Sequence, residues 1–230
     1  MRRFHFATVS STNSAAQSLL ERKTELPFFL SADEQTLGRG RSGREWISPK
    51  GNFYGTFALD ARKSDLEMAQ VSLVAAVSVA KVFSSMGLRP QLKWPNDVLI
   101  SNAKISGILL EKNGSALLVG IGINISNHPT SASYLTTSLK ALGVNTTPND
   151  LGSSLEKIFL RYLKIWDRDG FEPINQAWSE LAHKLNDEIH VRIAGRPDQS
   201  GYFRGLSSDG GLKLEVEQEI VVIHAGEVFF

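Results

Sequence analysis

Two short stretches concentrate the residues that could do chemistry. Gly38-Arg39-Gly40-Arg41-Ser42-Gly43-Arg44-Glu45-Trp46 sets three arginines among three glycines. Glycine lets a backbone approach a ligand closely, and arginine supplies a permanent charge with forked donors, so the stretch suits a phosphate or a carboxylate. Gly38, Gly40 and Gly43 also satisfy the G-x-G-x-x-G string of dinucleotide-binding folds. That fingerprint needs a helix beginning at the loop, and Pro49 and Gly51 interrupt any such helix, so the reading fails. Three readings stay open on residue type alone: an anion clamp ordered on binding, an arginine–glycine contact to RNA, and a solvated surface loop.

The second stretch begins at Lys93-Trp94-Pro95-Asn96-Asp97, which puts a cation and a carboxylate on either side of a proline kink. Lys104-Ile105-Ser106-Gly107-Ile108-Leu109-Leu110-Glu111 then carries a lysine and a glycine into an apolar run. Taken singly, Lys93 and Lys104 read as surface lysines, Glu111 as a strand-end carboxylate paired with a cation, and Gly120-Ile121-Gly122-Ile123-Asn124 as a core strand. His5, His128, His183, His190 and His224 are scattered without metal-ligand or triad spacing and receive no catalytic role. No residues are assigned to a metal.

These stretches need a scaffold, and the pattern supplies one. Arg3–Val9 alternates like a strand, and Ser10-Ser11-Thr12-Asn13 offers caps for a helix through about Lys23. Phe28–Ser31 and Phe53–Leu59 read as strands, and the polar, glycine-rich stretch between Gln35 and Asn52 as a mobile loop. Asp65 precedes a helix from about Leu66 to Met86, closed by Gly87. Gln91–Trp94 and Val98–Ile100 are short strands, and Ile105–Glu111 and Ala116–Ile125 form a hairpin around Asn113-Gly114, a strong turn signal. Asp150 to Lys184 has helical spacing broken near Gly170 and Pro173. From Glu188 onward, short strands suggest a small β-barrel appended to an α/β body.

Composition narrows the function classes. In 230 residues, 25 Lys plus Arg face 24 Asp plus Glu, a net charge of +1 that argues against a general nucleic-acid binder. The absence of cysteine excludes disulfides, thiolate catalysis and Cys-ligated metals. The apolar run Met68–Met86, interrupted by Lys81, reads as a buried helix too short for a membrane span. The start of the chain shows no apolar signal region, so the expected compartment is the cytoplasm.

In combination, the stretches closely resemble the biotin protein ligases (biotin–acetyl-CoA-carboxylase ligases). Ser11-Thr12-Asn13, Gln35, GRGRSGREW, KWPND, KISGILLE and GIGIN occur in the family's order, followed by Thr137–Leu139 and Ala225–Val228. The resemblance implies an α+β fold: a mixed-sheet catalytic domain over 1–186 and a C-terminal SH3-like β-barrel over 187–230. With only ten residues before Ser11, it also implies the monofunctional type, without the DNA-binding domain of the bifunctional members.

The activity implied is ATP-dependent: biotin becomes biotinyl-5′-AMP and is then transferred to a lysine of a biotin carboxyl carrier protein domain. A lipoate–protein ligase of the same superfamily is the alternative. By resemblance Lys104, Arg41 and Asp97 are catalytic. Ser11, Thr12, Asn13, Gln35, Gly38, Arg39, Arg41, Trp46, Lys104 and Gly107 bind biotin. Arg41, Arg44, Lys93, Asn96, Lys104 and Asn124 bind the nucleotide, with Thr137–Leu139 beside them, and Mg²⁺ arrives on the ATP phosphates. The partner expected is the carrier domain, with neither DNA nor a membrane, and the chain is a monomer or a homodimer through sheet edges.

Overall fold

A computed structural model describes residues 1–61, 63–130, 134–193 and 195–229. The chain opens with β1 (Arg2–Val9), α1 (Thr12–Glu21) and β2 (Phe28–Gln35). The crossover helix makes β1 and β2 parallel, since parallel neighbours need a long connection. β3 (Phe53–Asp60), β4 (Pro90–Lys93), β5 (Asp97–Ile100), β6 (Ala103–Asn113) and β7 (Ala116–Ile123) complete a seven-stranded sheet in the order β1-β2-β3-β7-β6-β5-β4. The hairpin expected at Asn113-Gly114 joins β6 to β7, with Asn113 opposite Ala116 and Gly114 at φ +57°.

α2 (Asp65–Ser85) starts with a reciprocal capping box between Ser64 and Glu67, one residue before the cap expected at Asp65. At 21 residues it is long and apolar enough to cross a membrane, so the length argument drawn from Lys81 does not hold. The burial expected of it does: Val71, Val74, Val77, Val79 and Phe83 have no exposed surface. It packs among β4–β7, α3 (Pro148–Asp169) and α4 (Glu172–Ser179). Gly170 separates α3 from α4 as the sequence indicates, but regular helix stops at Ser179 rather than Lys184.

The C-terminal strands are β8 (Glu188–Arg192), β9 (Gln199–Leu206), β10 (Leu212–Val216), β11 (Glu219–Ile223) and β12 (Glu227–Phe229). They form one antiparallel sheet in the order β11-β10-β9-β8-β12, with β11 and β12 as its two ends. Its inner face joins the main core: Ile189, Val191, Phe203 and Leu214 belong to the same buried cluster as α2, and Trp178 of α4 meets Phe203 edge-on at 6.2 Å. Trp94 Nε1 donates to the Gly210 carbonyl at 3.2 Å, a further tie between the two sheets.

The glycine-rich stretch after β2, read from the sequence as a mobile loop, is laced into a hairpin. Gln35 N donates to Ser48 O (3.2 Å), Trp46 N to Gly38 O (2.9 Å) and Gly40 N to Arg44 O (2.7 Å), with a 3-10 turn over Arg41–Gly43 at the tip. A Cβ on Gly38 would run into the Trp46 carbonyl, which is why this hairpin closes so tightly.

Candidate active site

A cavity of about 560 Å³ lies between this hairpin, the start of α1, strands β5–β7 and the edge strand β12. That volume is typical of small-molecule sites. Two glycines shape its floor. A Cβ on Gly122 would sit 2.5 Å from Trp46 Nε1, and one on Gly107 would sit 3.2 Å from Trp46 Cζ3, so the bare backbone of β6 and β7 receives the indole flat.

One end of the cavity is neutral and densely hydrogen-bonded. Ser11 caps α1, and its Oγ accepts from Ser14 N at 3.0 Å and from Arg39 Nη1 at 2.7 Å. Gln35 Oε1 accepts from Thr12 N (2.8 Å) and Thr12 Oγ1 (3.2 Å), while Gln35 Nε2 donates to Ser48 Oγ (2.8 Å). Glu111 accepts from Arg39 Nε (3.0 Å) and Nη2 (2.8 Å), and from Asn13 Nδ2 at 2.7 Å. Asn13 Oδ1 accepts from Thr56 at 2.7 Å, and Gly120 leaves the room it needs, since a Cβ there would stand 2.6 Å away. The guanidinium of Arg39 is therefore matched by a carboxylate and two hydroxyls rather than open to an anionic ligand.

The other end is cationic. Lys104 Nζ sits 2.6 Å from Asp97 Oδ1 and 5.5 Å from the rings of both Trp46 and Tyr134. Lys93 and Asp97 face each other across β4 and β5. Burial pushes the pKa of Lys93 down, against the pull of Asp97, and neighbouring Lys104 and Arg44 push the same way as burial. Burial likewise lowers that of Arg41, which Asp97 opposes and Arg44 reinforces. The tip of the hairpin reaches the second sheet: Arg41 Nη1 donates to Gly226 O at 3.3 Å, and Arg44 pairs with Glu227. Arg41, Lys93 and Lys104 thus crowd around Asp97, with Arg44 next to Arg41 and Lys93, an arrangement that an incoming anion relieves.

Of the residues assigned to biotin, nucleotide or catalysis from the sequence, all but Gly38 and Asn124 line this cavity, and Glu111 and Thr137–Leu139 lie outside it. Gly38 acts one step back, through the hairpin. Asn124 is buried outside the cavity, donating from Nδ2 to Thr137 O at 3.0 Å, and Ser138 and Leu139 are buried with it. Asn96 lines the cavity, but its amide donates to Ile108 O at 2.7 Å and pins β6. Sequence reasoning missed Tyr134, Leu135, His183, Lys184 and Phe229 in the lining, whereas Glu227 and Val228 belong to the Ala225–Val228 element it had noted. Burial and the lysines Lys184 and Lys93 lower the pKa of His183. Among the described residues no group of three His, Cys, Asp or Glu side chains could hold a metal.

Residues 5–127 match the model of the biotin/lipoate A/B protein ligase family. The chain belongs to this family. It is 36% identical to a biotin–[acetyl-CoA-carboxylase] ligase of Paracoccus denitrificans, over 97% of this chain and 98% of the relative. It is also 31% identical to the bifunctional ligase/repressor BirA of Escherichia coli, over 96% of this chain and 71% of that protein. Among solved structures, a biotin protein ligase from Aquifex aeolicus in complex with biotin and ATP matches with a TM-score of 0.89 and 29% identity, covering 99% of this chain and 97% of that one. The α+β fold expected from the sequence is therefore the family's fold, and these relatives are biotin ligases rather than lipoate ligases.

Proposed function

We propose that this member of the family is a biotin protein ligase that forms biotinyl-5′-AMP from biotin and ATP and passes the biotinyl group to a lysine of a biotin carboxyl carrier domain. The observation that carries the proposal is the cavity's polarity: a neutral hydrogen-bonding end, an apolar floor under Trp46, and a cationic end around Lys104. Biotin has a neutral ureido head, an apolar arm and a carboxylate tail, in that order.

In the first step the biotin carboxylate attacks the α-phosphorus of ATP and pyrophosphate leaves. Two anions must meet, and fixed cations lower that barrier because they are in place before charge builds up. Lys104 spans the carboxylate and the phosphate, and Arg41, Arg44 and Lys93 neutralise the phosphates. Asn96 and Asn124 support this end through the backbone they hold. Asp97, Glu227 and Glu111 are each paired with a cation of the chain itself, which fits Mg²⁺ coming with the ATP phosphates as MgATP.

In the second step the carrier lysine attacks the mixed anhydride and AMP leaves. Presenting that amine neutral at pH 7 costs roughly 4–5 kcal/mol from its reference pKa of about 10.4. Asp97, at the cavity floor, orients the incoming ammonium and accepts a hydrogen bond from it as its proton departs. The near-balanced charge of the chain fits a carrier protein as partner better than DNA, and the cytoplasm is the compartment proposed.

Biotin-dependent exchange of labelled pyrophosphate into ATP tests this reading. Exchange with biotin and none with lipoate is the result expected. Exchange driven by lipoate instead would transfer the assignment to the lipoate ligases of the superfamily.

A further inference from the structure

Glu111 lies at the far end of β6 from Lys104, and no step of the proposed chemistry uses it. Its carboxylate does not line the cavity but sits directly behind Arg39 and Asn13, which do. Both oxygens are taken by the Arg39 fork, and Oε2 also accepts from Asn13. The third nitrogen of Arg39 donates to Ser11 Oγ at 2.7 Å and to Ser14 Oγ at 2.9 Å.

The consequence falls on Ser11. A serine hydroxyl has two acceptor sites and one donor. Ser11 Oγ receives N–H bonds from Arg39 and from Ser14 N, so both of its acceptor sites are filled. Its O–H remains, reaching Ser14 Oγ at 3.1 Å and free to turn into the cavity. Thr12 is set the opposite way, because its O–H is directed to Gln35 Oε1 and its acceptor sites are left open. A cyclic urea needs one donor for its carbonyl oxygen and acceptors for its N–H groups. Ser11 and Thr12 stand side by side in those two polarities.

We infer that Glu111 is a positioning residue that sets the hydrogen-bond polarity of the head end through Arg39. By cancelling the Arg39 charge and fixing its fork, it makes Ser11 a donor and keeps this end electrically neutral, while the cations of the other end stay available to carboxylate and phosphates. This rests on the biotin-ligase reading above.

Glu111→Gln tests it. The substitution preserves shape but places an amide N–H₂ against either the Arg39 fork or the Asn13 amide, so donors face donors. The KM for biotin in pyrophosphate exchange should rise about tenfold or more, as expected when a charged hydrogen bond is lost, with kcat and the KM for ATP within about twofold. Arg39→Ala should reproduce the split, and the double variant should be no worse than the poorer single one, because both residues act in one chain of contacts. Arg39→Ala carries the same comparison if the Glu111 variant does not fold. An unchanged biotin KM, an equal loss in the ATP KM and kcat, or multiplying losses in the double variant would overturn the positioning role. Failure of the parent protein to exchange with biotin would instead overturn the functional reading beneath it.

Discussion

Lys104 and Asp97 form an ion pair of 2.6 Å at the floor of the cavity, on neighbouring strands β6 and β5. Each is mostly covered, with 17% and 19% of the side chain exposed, so the pair sits in a poorly screened environment. On the proposed chemistry, its carboxylate holds the ammonium where biotin carboxylate and phosphate would converge. Lys104→Ala should therefore lower adenylate formation by about two orders of magnitude or more, the usual loss for a charge contact made in the transition state. Circular dichroism would confirm that the variant folds. Near-normal pyrophosphate exchange in that folded variant contradicts the role of Lys104.

Removing the other partner separates the two half-reactions. Asp97→Asn leaves Lys104 charged, and the acceptor lysine enters only after the adenylate exists. Transfer to the carrier should fall about tenfold further than adenylate synthesis. Single-turnover measurement of both steps decides the matter, and equal losses would assign Asp97 to nucleotide activation instead.

Gly122→Ala should displace Trp46. The added methyl would lie 2.5 Å from the indole nitrogen, and the backbone of β7 is fixed by ladders to both β3 and β6. Overpacking of this kind costs about 1–3 kcal/mol, and here the mobile partner is the indole rather than the sheet. Biotin binding should weaken by about tenfold or more while the melting temperature falls by only several degrees. Calorimetry with biotin, together with the melting curve, checks both halves of the expectation.

Asp209 supplies a pH signature away from the chemistry. Hydrogen bonds from Ser207 lower its pKa most, against burial, and His224 and Gly211 N–H add to the effect, bringing it to about 2 from 3.8. The folded state thus favours the ionised form. That stabilisation is fully present above about pH 4 and is lost as the pH falls toward about 2. Asp209 keeps 35% of its side chain exposed, so screening reduces the contribution to about 1 kcal/mol or less. Asp209→Asn should be less stable than the parent at about pH 6, with the gap in urea midpoints closing by about pH 2. A gap independent of pH would assign the effect to packing.

The parts of this site written within one strand or turn were legible in the sequence. The Asn113-Gly114 hairpin fixes the β6–β7 pairing, and that pairing sets Gly107 and Gly122 opposite each other. Ser11, which caps α1, was among the four cap candidates of Ser10-Ser11-Thr12-Asn13. Asn124, assigned to the nucleotide by resemblance, lies just past the end of β7 at Ile123, and its amide turns to Thr137 rather than into the cavity. The loop from Gly38 to Trp46 looked mobile for want of apolar residues, yet it is held by backbone hydrogen bonds, which composition does not report. Arg39 and Glu111 are joined across 72 positions, and Arg41 and Gly226 across 185. Only the fold brings such partners together, and no local pattern marks them.

The contact between Arg41 and Gly226 leads to the last prediction. Arg41 stands at the tip of the hairpin, half-buried against β12, and faces the cationic end of the cavity with Arg44 beside it. A mixed anhydride is consumed by water or by any free amine, so useful transfer requires that it stay enclosed until the carrier arrives. Arg41 donates a hydrogen bond to Gly226, and in the proposed reaction its charge would also meet the adenylate phosphate, so that the two together would hold the hairpin over the product. Arg41→Gly removes both while the glycine-rich ladder behind it remains. Adenylate synthesis should persist at a reduced rate, dissociation of biotin and adenylate should accelerate by about tenfold or more, and released adenylate should label exposed lysines of an unrelated protein such as serum albumin. Trypsin gives an independent reading: ligand should slow cleavage at Arg39 and Arg44 in the parent and protect them less in the variant. A variant with unchanged biotin dissociation and strict labelling of the carrier would show that the hairpin closes without Arg41.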